Sequence, residues 1–149
     1  MQDYIRPVEI RWADLDPNFH LRHSVYYDFG AQIRMAFLSE NGLTAQFMQA
    51  NHFGPVLFRE ECVFRREIRY GDAITINVEL LQLRRDYARF SFRHEIKRLD
   101  ETLCAILTVD GAWMDTAARK LIVPPGLSIN LLNAMPKADI FTWTELPTT

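Results

Sequence analysis

Residues 11–42, RWADLDPNFHLRHSVYYDFGAQIRMAFLSENG, decide the reading of this chain. The first half is polar and turn-rich. Pro17 disfavours helix at Asp16, which places that carboxylate on extended or turning backbone. From residue 24 to 41 the pattern changes. Tyr26, Phe29, Ile33, Ala36 and Phe37 recur at helical spacing and predict one apolar stripe on one long helix, with Ser24 as N-cap and Gly42 closing the C-terminal end.

Working outward, residues 7–13, PVEIRWA, alternate apolar and polar and predict a first strand with Val8, Ile10 and Trp12 inward. A short helical piece is expected over residues 44–51. Beyond Gly54-Pro55 the chain reads as strands: residues 56–70, then 74–80 after the Gly71-Asp72 turn, then 89–96 after the Arg84-Arg85-Asp86 reversal, then 102–114. Glu60 falls on the apolar parity of its strand, which predicts a bulge that returns it to solvent, or Arg66 as its partner. Arg65-Arg66, inside that strand, are expected on opposite faces. The tail carries LSINLLNAM, one or two helical turns, and then an irregular end. The order strand, helix, strands predicts an α+β domain over residues 1–149, with a curved antiparallel sheet of five to six strands wrapped on one long helix.

Composition narrows the function. At 149 residues, 48% apolar and 24% charged, the chain is long enough for a core and far too apolar for disorder. A net charge of −2 argues against nucleic acid as the main partner. No apolar run is long enough to span a bilayer, and the start lacks the pattern of a secretory signal. Cys62 and Cys104, 42 positions apart among apolar residues, are expected as buried free thiols in a cytoplasmic protein. They form no zinc pattern, and no phosphate loop or nucleophile elbow is present, so no metal or cofactor is expected.

The densest polar cluster is Asp14, Asp16, Asn18, His20 and His23, directly before the helix. Asp16, Asn18 and His20 are spaced by two, which on an extended segment points them to one side. The unpaired N–H groups of the helix start, near His23 and Ser24, are suited to a developing oxyanion. Turn and capping roles account for the same residue types, Asp14 above all.

RWADLDPNFHLRHSVYYDF resembles the signature of the hotdog-fold thioesterases, the group holding 4-hydroxybenzoyl-CoA thioesterase and short acyl-CoA thioesterases. Asp14 and Asp16 match the two aspartates, His20-Leu21 the histidine–valine step, and Tyr26 the tyrosine opening the helix. Asp16-Pro17-Asn18-Phe19-His20 also resembles the D-x-N-x-H of acyl-carrier-protein thioesterases. Departures are Phe19 where the family usually has glycine, Arg22-His23 where asparagines often follow, and Glu60 and Glu61, which do not align cleanly with the carrier branch's further acid. The resemblance implies hydrolysis of an acyl-CoA thioester. Asp16 would be nucleophile or base for water, the His23 N–H would polarise the carbonyl, and Asn18 and His20 would be polar partners. Tyr26 would contact substrate, and Arg84 and Arg85 would lie near the coenzyme A phosphates. It also implies a homodimer or dimer of dimers, with the site between subunits. An acyl-carrier-protein thioesterase and a non-catalytic acyl-thioester binding protein are the competing readings.

Overall fold

A computed structural model describes residues 2–148. β1 (Ile5–Val8) leads into a 3-10 turn (Trp12–Asp14), then α1 (Val25–Glu40) and α2 (Ala45–Ala50). β2 (Phe53–Phe64), β3 (Ile74–Asn77), β4 (Glu79–Arg84), β5 (Arg89–Arg98), β6 (Leu103–Asp115) and β7 (Lys120–Ile122) follow, and the chain closes with α3 (Gly126–Ala134) and β8 (Lys137–Thr144).

The long helix ends where its local chemistry dictates. Gly42 adopts φ +95°, its N–H donates to Ser39 O (3.2 Å) and the Leu43 N–H reaches back to Leu38 O (2.9 Å). That pair of bonds is a Schellman closure, and the positive φ is why glycine stands there. At the other end Ser24 holds the N-cap position, but its hydroxyl caps nothing; it accepts from Arg22 Nε at 3.0 Å. The buried face of α1 is Val25, Tyr26, Gly30, Ile33, Arg34, Phe37 and Leu38. Phe29 and Ala36, expected inward, are half-buried beside β1. Gly30 permits a close approach: a Cβ there would stand 3.2 Å from Leu107 Cδ2 and 3.3 Å from His94 Cδ2.

Among the described residues eight strands form one sheet, two or three more than expected. β5 is central. It pairs with β6 on one side and with β3 and β4 on the other. The expected single strand over 74–80 divides at Val78, whose N–H turns to Tyr4 O, while the Leu80 N–H turns to Pro136 O. β1 therefore extends the sheet beside β3, and β8 extends it beside β4 in parallel. β6 carries β2 on its outer side, and beyond Ala112, where the pairing with β5 ends, β7 takes the place of β5 on the inner side; β2 is an edge. Apart from the β4–β8 pair, all pairings are antiparallel, and α1 packs against β2, β3 and β6.

Three local expectations are corrected. The first strand covers Ile5–Val8 rather than residues 7–13, and Trp12, placed inward by alternation, sits on a 3-10 turn with 66% of its surface exposed. The second strand stops at Phe64 instead of running to residue 70. The tail after the LSINLLNAM helix is not irregular but forms β8. The expected bulge is present: register shifts between Leu57 and Arg59, after which the Glu60 side chain is 38% exposed and faces Arg34 at 4.0 Å, not Arg66.

Candidate active site

The segment before α1 is a tight loop, not an extended strand. Asp16 Oδ1 accepts from the N–H of Asn18 (2.8 Å) and of His20 (3.1 Å). The Asp16 N–H donates to His20 O (2.8 Å), and the Phe19 N–H to Asp16 O (3.0 Å). The aspartate thus builds its own turn, a local competition with regular structure that short acidic side chains win readily. The turn forces Phe19 to φ +65°, the left-handed region, which explains why glycine suits that position. Leu21 N–H to Ile68 O (2.7 Å) pins the loop against the segment leaving β2, and Arg22 N–H to Asp14 O (2.7 Å) closes the loop on itself.

The two aspartates have different fates. Asp14 is almost fully buried, accepts from the Arg11 N–H (2.9 Å) and pairs with the Arg11 guanidinium (2.7 Å), which holds its carboxyl below the usual carboxylate range. It is a structural pin. Asp16 is half-buried, and among the described residues its second oxygen, Oδ2, accepts no hydrogen bond. That oxygen is free for a water or a carbonyl carbon.

Asp16, His20, His23 and Tyr26 line one cleft of about 320 Å³, together with Phe64, Arg65, Arg66, Glu67 and Ile68. Among the described residues neither the His23 nor the Ser24 N–H donates to a backbone carbonyl, so both remain available at the start of α1. Tyr26 is buried edge-to-face against Phe64 (4.9 Å), and desolvation pushes its hydroxyl up to about 12, so it stays a neutral donor. His20 faces Glu67 at 3.2 Å. Hydrogen bonding from Arg69, and then the nearby His20, hold that carboxyl below its ordinary range.

Other expected site residues lie elsewhere. Asn18 is exposed on the turn and does not line the cleft, because the turn abolishes the alternation that would have aligned it with Asp16. Arg84 and Arg85 are at the β4–β5 hairpin. Arg84 is held by Asp86 through two bonds (2.8 and 2.9 Å), and Arg85 pairs with Glu145 (3.2 Å) and covers Trp143. β5 opposite this hairpin meets β6 at Ala112, whereas the cleft meets β6 at Ala105 through Phe64. That separation along β6 is about 23 Å.

The sequence reading overlooked Arg65 and Arg66 at this site. Because β2 ends at Phe64, both of their N–H groups donate to the same carbonyl, Cys104 O (2.8 and 3.0 Å), and both residues line the cleft. Among the described residues neither forms an ion pair. Glu60 on the apolar parity of its strand signalled a bulge; a bulge before the dipeptide undermines any assignment of faces by alternation. No cluster of potential metal ligands occurs among the described residues.

A curved sheet laid on one long helix, with an acidic loop at the helix start, defines the hotdog class of thioester-handling folds. Residues 10–136 match the thioesterase-like superfamily, and the chain belongs to that family. Comparison with curated protein sequences returns no match. Among solved structures, the Staphylococcus aureus protein SAV2348, solved in complex with CoA, superposes with a TM-score of 0.83 at 17% identity, covering 96% of this chain and 90% of that one. Slr0204, a 1,4-dihydroxy-2-naphthoyl-CoA thioesterase from Synechocystis, gives 0.79 at 17% identity, with 89% and 96% covered. A DHNA-CoA thioesterase from Staphylococcus aureus gives 0.73 at 17% identity, with 83% and 81% covered. At these identities the likeness is one of fold.

Proposed function

We propose that this chain hydrolyses acyl-CoA thioesters at the Asp16 cleft. The observation that carries the reading is the meeting, among the described residues, of three things in one cleft: a carboxylate with a free oxygen, unpaired N–H groups at the start of α1, and two guanidiniums with no carboxylate partner. The thioester carbonyl would sit on the His23 N–H, with the Tyr26 hydroxyl beside it. Asp16 either takes a proton from water as that water attacks the carbonyl carbon, or attacks directly and is then freed by water. In both routes the C–S bond breaks and the thiol leaves with one proton. Arg65 and Arg66 supply forked donors for coenzyme A phosphates. Two free thiols suit a reducing compartment such as the cytoplasm.

The assembly follows from β2. Among the described residues it pairs on one side only, and it exposes Leu57 (40%), Phe58 (55%), Val63 (42%) and Phe64 (51%). Such an edge is blunted by pairing with a second copy, in a dimer or a dimer of dimers, which would bring the partner's residues to the cleft. Light scattering and activity on dilution test this; a monomer with full activity rejects it.

The carrier-protein reading keeps one observation of its own. Trp12, Phe19 and Tyr70 form an exposed aromatic cluster, with Trp12 5.8 Å from each of the others, on the loop that bears Asp16 and on the segment it pairs with. An apolar face of that kind suits a protein carrier. Thiol release across a panel of acyl-CoA and acyl-carrier-protein thioesters decides the matter. Turnover of the CoA series supports the main reading, faster turnover of the carrier series replaces it, and binding without thiol release makes the chain an acyl-thioester binder.

A further inference from the structure

From Val56 to Phe64 the edge strand β2 reads VLFREECVF: three apolar residues, Arg59-Glu60-Glu61, three apolar residues. Read from either end about Glu60 the pattern of polarity is the same, and the charges flanking Glu60 are opposite. The structure places these charges on two faces. Glu60 faces Arg34 of α1 at 4.0 Å, on the helix side. Arg59 pairs with Glu61 and, at 3.4 Å, with Asp110. Val109, the neighbour of Asp110 on β6, is fully buried in the core, so Asp110 and its two partners stand on the face away from α1. Arg34 itself is short of counter-charge. Its side chain is 10% exposed, and its Nη1 contacts His94 Nε2 at 2.9 Å. An N–H at His94 Nδ1 donating to Asn77 O (2.9 Å) leaves Nε2 as a neutral acceptor. A buried guanidinium with one neutral acceptor and a single carboxylate beyond hydrogen-bond distance costs stability.

We infer that β2 pairs antiparallel with β2 of a second copy about a two-fold axis through Glu60, so that Arg59 of each copy meets the partner's Glu61. The inference deepens the assembly proposed above and rests on it. A two-fold axis perpendicular to the sheet sets residues of the same face opposite one another, and three such registers bring the charged triplets together. Centred on Arg59, the axis opposes two arginines; centred on Glu61, it opposes two glutamates; like charges directly opposite destabilise a sheet. Both also slide charged residues onto the apolar flanks. Centred on Glu60, the axis opposes Arg59 to the partner's Glu61 twice over and lays apolar triplet on apolar triplet. On the helix side the same axis places the two Glu60 side chains about 5 Å apart between two Arg34 guanidiniums. The four charges cancel, and the partner's carboxylate supplies the counter-charge that Arg34 lacks. This register also lays Phe64, the half-exposed aromatic wall of the Asp16 cleft, beside the start of the partner's β2 near residues 55–56. The partner's strand thereby completes the wall of the cleft.

Cysteine cross-linking on the full chain reads the register directly. In a Cys62→Ser background, which leaves the fully buried Cys104 as the one native thiol, Glu60→Cys is expected to cross-link to itself under mild oxidation. Arg59→Cys and Glu61→Cys are exposed substitutions that leave the core untouched. Each alone is expected to stay uncross-linked, and an equimolar mixture of the two, after subunit exchange, is expected to form the mixed disulfide. Separately, Glu61→Lys sets a cation against the partner's Arg59 and is expected to raise the dimer dissociation constant about 10-fold by sedimentation. Self-linking of Arg59→Cys or of Glu61→Cys, or an unchanged dissociation constant in Glu61→Lys, overturns the register and leaves a β2-paired dimer standing. A wild-type chain that sediments as a monomer overturns the register and the assembly together. None of these readouts uses turnover, so the hydrolase reading stands or falls on its own assay.

Discussion

The chain carries two arginine dipeptides, one at each end of the sheet, and their surroundings make them different. At the β4–β5 hairpin Arg84 is gripped by Asp86 and Arg85 by Glu145, so their charge is spent within the protein. At the end of β2, Arg65 and Arg66 line the cleft without an ion pair among the described residues. Identical dipeptides thus differ in what they offer a ligand. A guanidinium already held by a carboxylate gains little from a phosphate, because one favourable pairing must be given up for another. The same division separates the two aspartates of the loop: Asp14 is saturated by Arg11, and Asp16 keeps an oxygen free.

The largest effect is expected where the proposed chemistry needs the free group. Asp16→Asn preserves an acceptor for the N–H groups of Asn18 and His20 and should keep the fold, yet it removes the charge needed for attack or base catalysis. Turnover of the best acyl-CoA should fall at least about 100-fold. Circular dichroism checks the fold and thiol release checks the rate; near wild-type turnover would move the chemistry away from Asp16.

The arginine comparison itself is tested by two double variants. Arg65→Ala with Arg66→Ala should raise KM for acyl-CoA about 10- to 100-fold while leaving the matching pantetheine thioester unchanged. Arg84→Ala with Arg85→Ala should change neither. The reverse pattern would show that the hairpin of a partner subunit, not the end of β2, holds the phosphates.

Between the two ends the sheet buries a histidine. Burial, and then the Arg34 charge, push His94 down to about 3. In the unfolded chain the same ring titrates near 6.5. Between those values the unfolded state binds a proton that the folded state refuses, so stability is complete above about pH 6.5 and declines as pH falls toward 3. The slope is up to about 1.4 kcal/mol per pH unit. Urea midpoints at pH 7 and 5, where most carboxylates remain ionised, should fall for the wild type and fall less for His94→Gln, which retains an acceptor for Arg34. Equal declines would mean that His94 already takes up its proton in the folded state.

The parts legible in the sequence are those set by near neighbours. The span of α1 and its Gly42 closure, the hairpin turns, and the acidic loop before the helix all depend on residues a few positions apart. What escaped depends on distant partners. β8 exists because residues 137–144 lie parallel to β4, a pairing that no local pattern encodes. The break at Val78 records where β1 yields to β8. Trp12 follows strand alternation in the sequence but sits on a 3-10 turn because Asp14 draws the chain back onto Arg11. Within the site, alternation placed Asn18 with Asp16 and separated Arg65 from Arg66; a turn undid the first assignment and the strand's end undid the second.

The smallest expected effect concerns the loop that holds Asp16 at the open end. Phe19 occupies φ +65°, a region that costs a non-glycine residue about 1–2 kcal/mol. Glycine removes that cost but adds about 0.5–1 kcal/mol of chain entropy on folding. It also loses the contact of the Phe19 ring with Trp12, which at 59% and 66% exposure contributes at the low end of about 0.5–1.5 kcal/mol. Phe19→Gly should therefore leave stability within about 1 kcal/mol of wild type. Phe19→Ala loses the same ring contact and keeps the strained φ, so it should be less stable than Phe19→Gly by about 1 kcal/mol. Urea denaturation of the two variants measures this difference without reference to activity. If alanine proves as stable as glycine, the loop can relax out of the left-handed region, and the turn that fixes the Asp16 carboxylate is softer than its hydrogen bonds indicate.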